Sequence, residues 1–164
     1  MEYRVGFSKD IHRLVENRKL IIGGVVVPFE LGELAHSDGD VLYHALAESI
    51  LGALALGDLG KYFPDNSNDT LDMDSSIIVK TVVKMMKEAG YCVNNVDIFV
   101  SLERPKLKDF IQKMRENVAA LLEVKVEQVS VKAGTNEGCD EVGQGKAIEA
   151  TSMVMLKKVI ANIN

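Results

Sequence analysis

The sequence predicts one domain of the α/β or α+β class, with a β-sheet covered by helices. Short β-branched runs interleave with longer segments of helical periodicity along the chain. No internal repeat and no linker-like stretch divides it. Its 164 residues, of which 47% are hydrophobic, are enough to bury one core. We therefore expect a single domain over residues 1–164.

The predicted elements of the first half are a strand, a hairpin and a helix. EYRVGF alternates weakly, which is typical of a strand. KLIIGGVVVPF places two β-branched runs around Gly23–Gly24, which predicts a tight hairpin that ends at Pro28. Helical spacing predicts a helix from Asp38 to about Leu56. Ser37 is the expected N-cap, with Asp40 in a variant of the capping box.

The second half alternates helices and strands. GDLGKYFPDNSNDTLDMD predicts a loop with one short helical turn, and SSIIVKTVVKMMKEAGY predicts an amphipathic helix that ends at Gly90. NVDIFVSLE and VEQVSVKAG predict strands around a helix from Lys106 to about Leu122, which follows Pro105. A final helix is expected from Lys146 to about Ile160. Its apolar stripe would be Ile148, Met153, Met155, Leu156 and Val159.

The composition excludes several classes of protein. The net charge of −5 lacks the basic balance of a nucleic-acid-binding domain, and the absence of Trp argues against a base-stacking platform. The sequence contains no run of 18 or more apolar residues, so no membrane span is expected. The glycines form neither a dinucleotide-binding nor a P-loop pattern. We expect neither nucleic acid nor a membrane as a partner.

The chain start and the cysteines bear on the compartment. MEYRVGFSKD has neither the apolar core of a secretory signal nor the character of a transit peptide. Cys92 and Cys139 form no C-x-x-C pair and are expected to be reduced thiols. We expect a cytoplasmic protein if the source is bacterial. For a eukaryotic source we expect a plastid-type organelle, with the transit segment removed.

The residues that can carry chemistry gather near the first long helix. The only three histidines of the chain are His12, His36 and His44. If their segment is extended, Asp10 and His12 point to one face. Asp40, His44 and Glu48 share one stripe of the predicted helix.

Two imidazoles and one carboxylate are a common ligand set for catalytic zinc, because they leave a fourth position open. Asp10, His12 and His44 would supply this set, and Asp40 or Glu48 would support His44 from behind. The alternative stays open that His44 is a core histidine with satisfied hydrogen bonds. The acidic residues would then only favour the positive end of the helix.

Two further segments suggest anion and cation binding. Five aspartates lie between residues 57 and 75, namely Asp58, Asp65, Asp69, Asp72 and Asp74. They form either a solvated loop or a site for sugar hydroxyls or Mg²⁺. Thr135 and Glu137 follow a strand and suit a phosphate with Mg²⁺. Lys106, at a predicted helix start, suits an anion. Together these segments suggest a polyphosphate held by two cations.

Seven motifs in one order give the chain a specific resemblance. They are DIH, IIGGVVVP, AHSDGDVLYHAL, LGALALGDLGKYFPD, NVDIFV, RPK and VKAGTNE. In this order they resemble the 2-C-methyl-D-erythritol 2,4-cyclodiphosphate synthases of the non-mevalonate isoprenoid pathway. The resemblance covers nearly the whole chain. AHSDGDV, followed by His44 and then GD-x-G-K-x-FPD, is highly specific.

The resemblance implies an assembly and a reaction. Family members are homotrimers in which helices pack on one face of the sheet and the sheets line the inside. Active sites lie between adjacent subunits. The substrate is a cytidine diphosphate derivative, 4-diphosphocytidyl-2-C-methyl-D-erythritol 2-phosphate. Its 2-phosphate attacks the β-phosphorus, CMP leaves, and a cyclic diphosphate forms.

The resemblance also implies roles for matching positions. Asp10, His12 and His44 match the zinc ligands, and Glu137 matches the ligand of Mg²⁺ or Mn²⁺. His36 and Thr135 match groups that stabilise the transition state. The implied substrate contacts on the phosphate and methylerythritol side are Ser37, Asp58, Leu59, Gly60, Phe63, Pro64 and Asp65. The other implied substrate-binding residues, which include the cytidine pocket, are Leu102, Pro105, Lys106, Leu107, Ala133, Gly134 and Asn136.

Two stretches depart from the family pattern. GFSKDIH has Ser8 and Lys9 where the family has a glycine and an aromatic residue. GTNEGCDEVGQGKA has Gly134, Gly138 and Gln144 where a threonine, a lysine and an arginine are usual. In bacterial members that aromatic residue and that arginine help to form a cavity for isoprenoid diphosphates on the trimer axis. We do not assign that ligand here.

Two other functions remain as alternatives. A metal-dependent phosphohydrolase also uses Asp/His sites with acidic loops, and it would release inorganic phosphate instead of CMP. A catalytically silent trimeric binding protein would keep the fold, and only the altered segment near Gly134 and Gln144 favours it. Zinc content and CMP release separate the three hypotheses.

Overall fold

Two long strands near the chain ends form the centre of the fold. The computed structural model describes residues 2–64 and 72–159. The strands are β1 (Tyr3–Val15), β2 (Leu20–Ile22), β3 (Val25–Val27), β4 (Gly32–Leu34), β5 (Tyr91–Ser101), β6 (Val129–Gly134) and β7 (Ala147–Lys158). The α-helices are α1 (Val41–Ala53), α2 (Ser75–Glu88), α3 (Ile111–Leu122) and α4 (Asp140–Gly143), with 3₁₀ turns at Leu59–Lys61 and Val126–Gln128.

The main sheet has the strand order β4-β1-β7-β5-β6. Strand β7 pairs antiparallel with both β1 and β5, and β6 pairs parallel with β5. Along β1 the side chains alternate: Gly6 and Ser8 are buried under the helices, whereas Val5 and Phe7 are exposed on the opposite face. The expected α+β architecture, with helices on one face of the sheet, is therefore confirmed.

Helix α1 lies unusually close to the sheet because small residues meet at the contact. A Cβ atom on Gly6 would lie 1.8 Å from the carbonyl oxygen of Ser49. The hydroxyls of Ser49 and Ser152 are 2.9 Å apart and fully buried. This close approach brings His44 of α1 near the side chains of β1.

The start of α1 differs from the expectation. The hairpin of β2 and β3 is confirmed, with Gly23 and Gly24 at positive φ. The N-cap is Asp40, which accepts a hydrogen bond from the backbone N–H of Tyr43. The prediction of Ser37 as the cap is wrong, because the helix begins at Val41, one residue after Asp40.

Two predicted helices differ from the structure. The segment predicted as a final helix is strand β7, and Ile160 lies outside the described residues. It lies between two partner strands, and because the helices cover one face of the sheet, every second residue is buried, namely Ile148, Ala150, Ser152, Val154 and Leu156. Helix α3 begins at Ile111, so Lys106 lies in the loop before it.

The structure also bears on the cysteines and on membrane spans. Cys92 and Cys139 are free thiols, as expected. Within residues 2–64 and 72–159, no helix is both long enough and apolar enough to cross a membrane.

Candidate active site

Strand β1 and helix α1 bring together one carboxylate and two imidazoles. Asp10 Oδ2 lies 3.1 Å from His12 Nε2 and 3.3 Å from His44 Nδ1. Each of the three residues offers a ligand atom, and these atoms all lie within 4.8 Å of one another. As expected, Asp10 and His12 project to the same face of the extended β1. The donor set and its spacing fit a metal ion such as zinc.

The outer nitrogen of each imidazole ring is also held in place. His12 Nδ1 lies 2.8 Å from Glu33 Oε2 and 2.8 Å from the carbonyl oxygen of Gly39. His44 Nε2 lies 3.1 Å from Ser37 Oγ and 3.0 Å from Ser75 Oγ. With the outer nitrogens engaged, the inner nitrogens face Asp10: they donate to its carboxylate when they carry a proton, and they would present lone pairs to a bound metal ion.

The predicted support of His44 by Asp40 or Glu48 is wrong. The Asp40 carboxylate accepts the backbone N–H groups of Gly23, Gly24 and Tyr43, so it ties the hairpin to α1. Glu48 accepts hydrogen bonds from Ser8 Oγ and the Leu59 N–H. The hydroxyls of Ser37 and Ser75 take the place that we expected for a carboxylate.

The electrostatics of the cluster favour a positive charge at its centre. Burial opposes ionisation of Asp10, but hydrogen bonds from His12 and His44 outweigh it and hold its pKa well below the ordinary value. Burial lowers the pKa of His12, but its bonds to Asp10 and Glu33 outweigh this effect and raise the pKa to about 10. Burial raises the pKa of Glu33 to about 8 against the opposing bond to His12. Either a proton or a metal cation can supply the charge that these groups stabilise, and a cation at the triad would in turn favour the ionised carboxylate form of Glu33.

The cluster opens into a cavity of about 420 Å³, which we call the metal pocket. Its lining residues are Asp10, His12, Leu34, Ala35, His36, Ser37, His44, Glu48, Leu59, Gly60, Phe63, Met73 and Ile78. Five predicted substrate or catalytic positions therefore share this cavity with the three candidate ligands: His36, Ser37, Leu59, Gly60 and Phe63.

The aspartates of the neighbouring loop have mainly structural partners. Asp58 caps the 3₁₀ turn by accepting the Lys61 N–H, and Asp74 caps α2. Asp72 pairs with Arg18 at the surface. Neither Asp58 nor Pro64 lines the metal pocket. Asp65 and Asp69 lie outside the described residues.

A second cavity of about 360 Å³, the β6 pocket, lies where β5 and β6 end. Its lining residues are Leu102, Glu103, Pro105, Lys106, Leu107, Lys108, Ile111, Ala133, Gly134 and Thr135. Seven of these positions were predicted from the sequence. Asn136 is not among them, and its amide donates to Asp140. The helix-start contribution predicted for Lys106 is wrong, since α3 begins five residues later.

Thr135 lines the β6 pocket, and Glu137 lies next to it. Thr135 Oγ1 donates to Glu137 Oε1 at 3.2 Å, and both residues are exposed. Among the described residues the two pockets share no lining residue. Gly134 lies in one row of the sheet with Ser101, Glu149 and Ile11, three interstrand spacings or about 14 Å from β1. One chain does not bring Thr135 and Glu137 to His36 and the triad.

Two of the departures from the family pattern, Lys9 and Gly134, have local explanations. Lys9 Nζ lies 2.7 Å from Glu149 Oε2 on the open face of the sheet, so its charge is already paired. A Cβ atom on Gly134 would lie 2.7 Å from the Phe99 ring, so this glycine makes room for the aromatic side chain. Neither change touches the metal pocket.

Sequence reasoning missed three residues that support the site. They are Glu33, Ser75 and Arg18. The Arg18 guanidinium donates to the carbonyl oxygens of Glu33, Ala35 and Ser37, and so holds the segment that carries His36. No local pattern distinguishes these side chains, because each acts on a residue at least 15 positions away.

The fold and the clustered ligands define an α+β protein with a candidate metal centre, and the chain belongs to the YgbB family, whose model matches residues 3–157. It is 50% identical over 162 residues to the 2-C-methyl-D-erythritol 2,4-cyclodiphosphate synthase of Carboxydothermus hydrogenoformans, covering 99% of each chain. The resemblance inferred from the motifs is thereby confirmed.

Solved structures agree with this family. The bifunctional IspDF of Campylobacter jejuni superposes with a TM-score of 0.92 at 38% identity, over 96% of this chain and 42% of that longer one. The IspF of Plasmodium falciparum, solved as a CDP complex, gives a TM-score of 0.85 at 33% identity, over 96% and 97% of the two chains.

Proposed function

We propose that this protein converts 4-diphosphocytidyl-2-C-methyl-D-erythritol 2-phosphate to 2-C-methyl-D-erythritol 2,4-cyclodiphosphate and releases CMP. The observation that carries the proposal is the Asp10, His12 and His44 cluster at the metal pocket. It occurs in a chain that is 50% identical to a synthase of that name over nearly its whole length.

Two cations would serve this reaction. Asp10, His12 and His44 would hold Zn²⁺, and Glu137 would bind Mg²⁺ or Mn²⁺. Bound cations supply charge neutralisation for the diphosphate, which is most of what phosphoryl transfer requires. The buried support of His12 and His44 keeps the zinc ligands in place before any ion arrives.

The remaining residues would position the substrate. His36 and Ser37 would contact phosphate, and the wall of Leu59, Gly60 and Phe63 would hold the methylerythritol part. The largely apolar β6 pocket suits the flat cytosine ring. The attacking phosphate is already ionised at neutral pH, so no general base is needed. Folding the substrate onto itself supplies up to roughly 7–11 kcal/mol of the barrier reduction.

We also propose that the protein is a homotrimer with active sites between adjacent subunits. The sheet face opposite the helices exposes the large apolar side chains Val5, Phe7, Ile11, Phe99 and Met153. Such a face is typical of a protein interface. The separation of the two pockets within one chain supports a site in which one subunit supplies the metal pocket and its neighbour supplies the β6 pocket.

Two expectations stay predictions. One is that residues 1–164 form a single synthase domain. The other is the compartment, which is the cytoplasm for a bacterial source or a plastid-type organelle for a eukaryotic one.

The test is a product assay with the diphosphocytidyl substrate and Mg²⁺, before and after removal of zinc by a chelator. We expect CMP and cyclic diphosphate in equal amounts, with both lost on chelation and restored by zinc. Release of inorganic phosphate would favour the phosphohydrolase. No turnover by folded, zinc-loaded protein would favour the silent binding protein.

A further inference from the structure

Glu33 is a buried carboxylate with an incomplete set of hydrogen bonds. It lies on the short strand β4, opposite Leu14 of β1, and its side chain is fully buried. Oε2 accepts from His12 Nδ1 at 2.8 Å and from the backbone N–H of Val41 at 3.1 Å. Oε1 has no hydrogen-bond partner among the described residues. A buried polar atom without a partner is costly, so packing alone does not explain a glutamate here.

The surroundings of Glu33 are closed by a glycine. Gly39 has a positive φ, and a Cβ atom at this position would lie 2.8 Å from the Glu33 Cβ. The loop therefore packs directly over Glu33. The carbonyl oxygen of Gly39 also accepts from His12 Nδ1, so this carbonyl alone would fix the tautomer of the ring. Glu33 therefore gives His12 Nδ1 a second acceptor, and this acceptor is a carboxylate, whereas the Gly39 carbonyl is neutral.

We infer that Glu33 is a positioning residue that strengthens His12 as a metal ligand. By accepting the Nδ1–H, the carboxylate orients Nε2 towards Asp10 and increases its electron-donating strength. His44 differs, because within the described part of the chain its outer nitrogen hydrogen-bonds to the neutral hydroxyls of Ser37 and Ser75 and to no carboxylate. This inference rests on the proposed metal role of the triad, and it assigns the charged support to one of its two imidazoles.

Asp40 provides a matched control for a buried carboxylate. It is also fully buried, and it lies seven residues along the chain from Glu33. Its carboxylate accepts the backbone N–H groups of Gly23, Gly24 and Tyr43 and makes no hydrogen bond to the imidazole of His12 or His44 among the described residues. Its replacement by asparagine should therefore lower the stability of the fold without changing the strength of the metal ligands.

The experiment compares the full-length parent with Glu33→Gln, Glu33→Leu and Asp40→Asn. Zinc affinity is measured by competition with a chromophoric chelator, the cobalt-substituted proteins are compared by visible absorption, and the melting temperature is measured without metal. We expect a loss of zinc affinity of about tenfold in both Glu33 variants, at the low end of the usual range because the Gly39 carbonyl remains. The cobalt bands should shift, and both metal-free Glu33 variants should stay folded at the assay temperature, although Glu33→Leu leaves the Val41 N–H without its acceptor.

The control separates ligand support from folding. Asp40→Asn should melt at a lower temperature while its zinc affinity stays within about twofold of the parent, since no imidazole partner changes. Glu33→Leu keeps the test available if Glu33→Gln disturbs folding, because leucine removes the buried charge and fills similar space. Parent-like zinc affinity and cobalt bands in both Glu33 variants would overturn the inference. Failure of the parent to bind zinc would instead overturn the metal centre itself, and the inference with it.

Discussion

The metal pocket and the β6 pocket are built differently, although they lie near opposite ends of one row of the sheet, which runs from Ile11 on β1 to Gly134 on β6. In the metal pocket, Asp10, His12 and His44 are partly buried, both imidazoles are hydrogen-bonded to Asp10, and Glu33 is buried behind His12. In the β6 pocket the polar groups that would meet a ligand, such as Lys106 and Thr135, are exposed beside an apolar wall.

This difference shows where each pocket obtains its geometry. The metal pocket is preorganised by the fold of one chain, because strand β1, helix α1 and strand β4 fix its side chains before any ligand binds. The β6 pocket is an open wall, where the exposed Thr135 is hydrogen-bonded to Glu137, which is itself exposed. We expect it to be completed by substrate and by a neighbouring subunit.

The largest expected effect comes from removing a ligand in the preorganised pocket. His44→Ala should abolish zinc binding and lower the rate of CMP release by ~10³-fold or more, as expected for a loss of about 4 kcal/mol of transition-state stabilisation. The fold should persist, since the His44 side chain lines a cavity and does not fill the core. Zinc analysis and a kinetic assay check this, with the exposed Lys84→Ala on α2 as control. Normal turnover by zinc-free His44→Ala would contradict the role of the metal pocket.

A smaller and different effect is expected beside the β6 pocket. Glu137→Ala should raise the Mg²⁺ concentration needed for half-maximal rate by ~10–100-fold, because an exposed carboxylate ligand is lost. The zinc content should not change, since Glu137 follows β6, which lies three strands away from the β1 strand of Asp10 and His12. The matched control is Glu141→Ala, an exposed glutamate paired with Lys146. Loss of zinc from Glu137→Ala would show that the two cation sites have been assigned wrongly.

The pH dependence of zinc binding gives the smallest expected effect. Bonds to Asp10 and Glu33 outweigh burial and raise the pKa of His12 to about 10 in the metal-free protein, so zinc must displace a proton below that pH. Zinc affinity should therefore increase with pH by about tenfold per unit for one displaced proton. Calorimetry in buffers of different ionisation enthalpy measures this release directly. Affinity that does not vary between pH 7 and pH 8 would show that His12 is not protonated when zinc binds.

The local parts of the candidate site could be predicted from the sequence. Asp10 and His12 share a face because β1 is extended, and His44 follows Asp40 by one helical turn. These relations depend only on the geometry of a single element. The motifs then allowed the reaction to be predicted, because they match the family along the whole chain.

The remaining parts depend on contacts between distant segments. Strand β7 was predicted as a helix because Met, Ala and Lys favour helices, whereas its central position between β1 and β5 decides its conformation. Glu33 looks like a surface residue in the segment GEL, and its burial follows from Gly39 packing over it. The N-cap was misplaced by three residues because the hairpin that Asp40 binds is remote in sequence.

In the proposed trimer, one active site combines the metal pocket of one subunit with the β6 pocket of the next. The direct test mixes His44→Ala and Glu137→Ala chains under conditions that exchange subunits, and assays them at a Mg²⁺ concentration low enough that each variant alone is nearly inactive. About one quarter of the sites in randomly mixed trimers should then be intact and release CMP, if the subunits meet head to tail in a closed ring. A chain carrying both substitutions, mixed with either single variant, should restore nothing. No recovery of activity after confirmed subunit exchange would contradict a shared site between subunits.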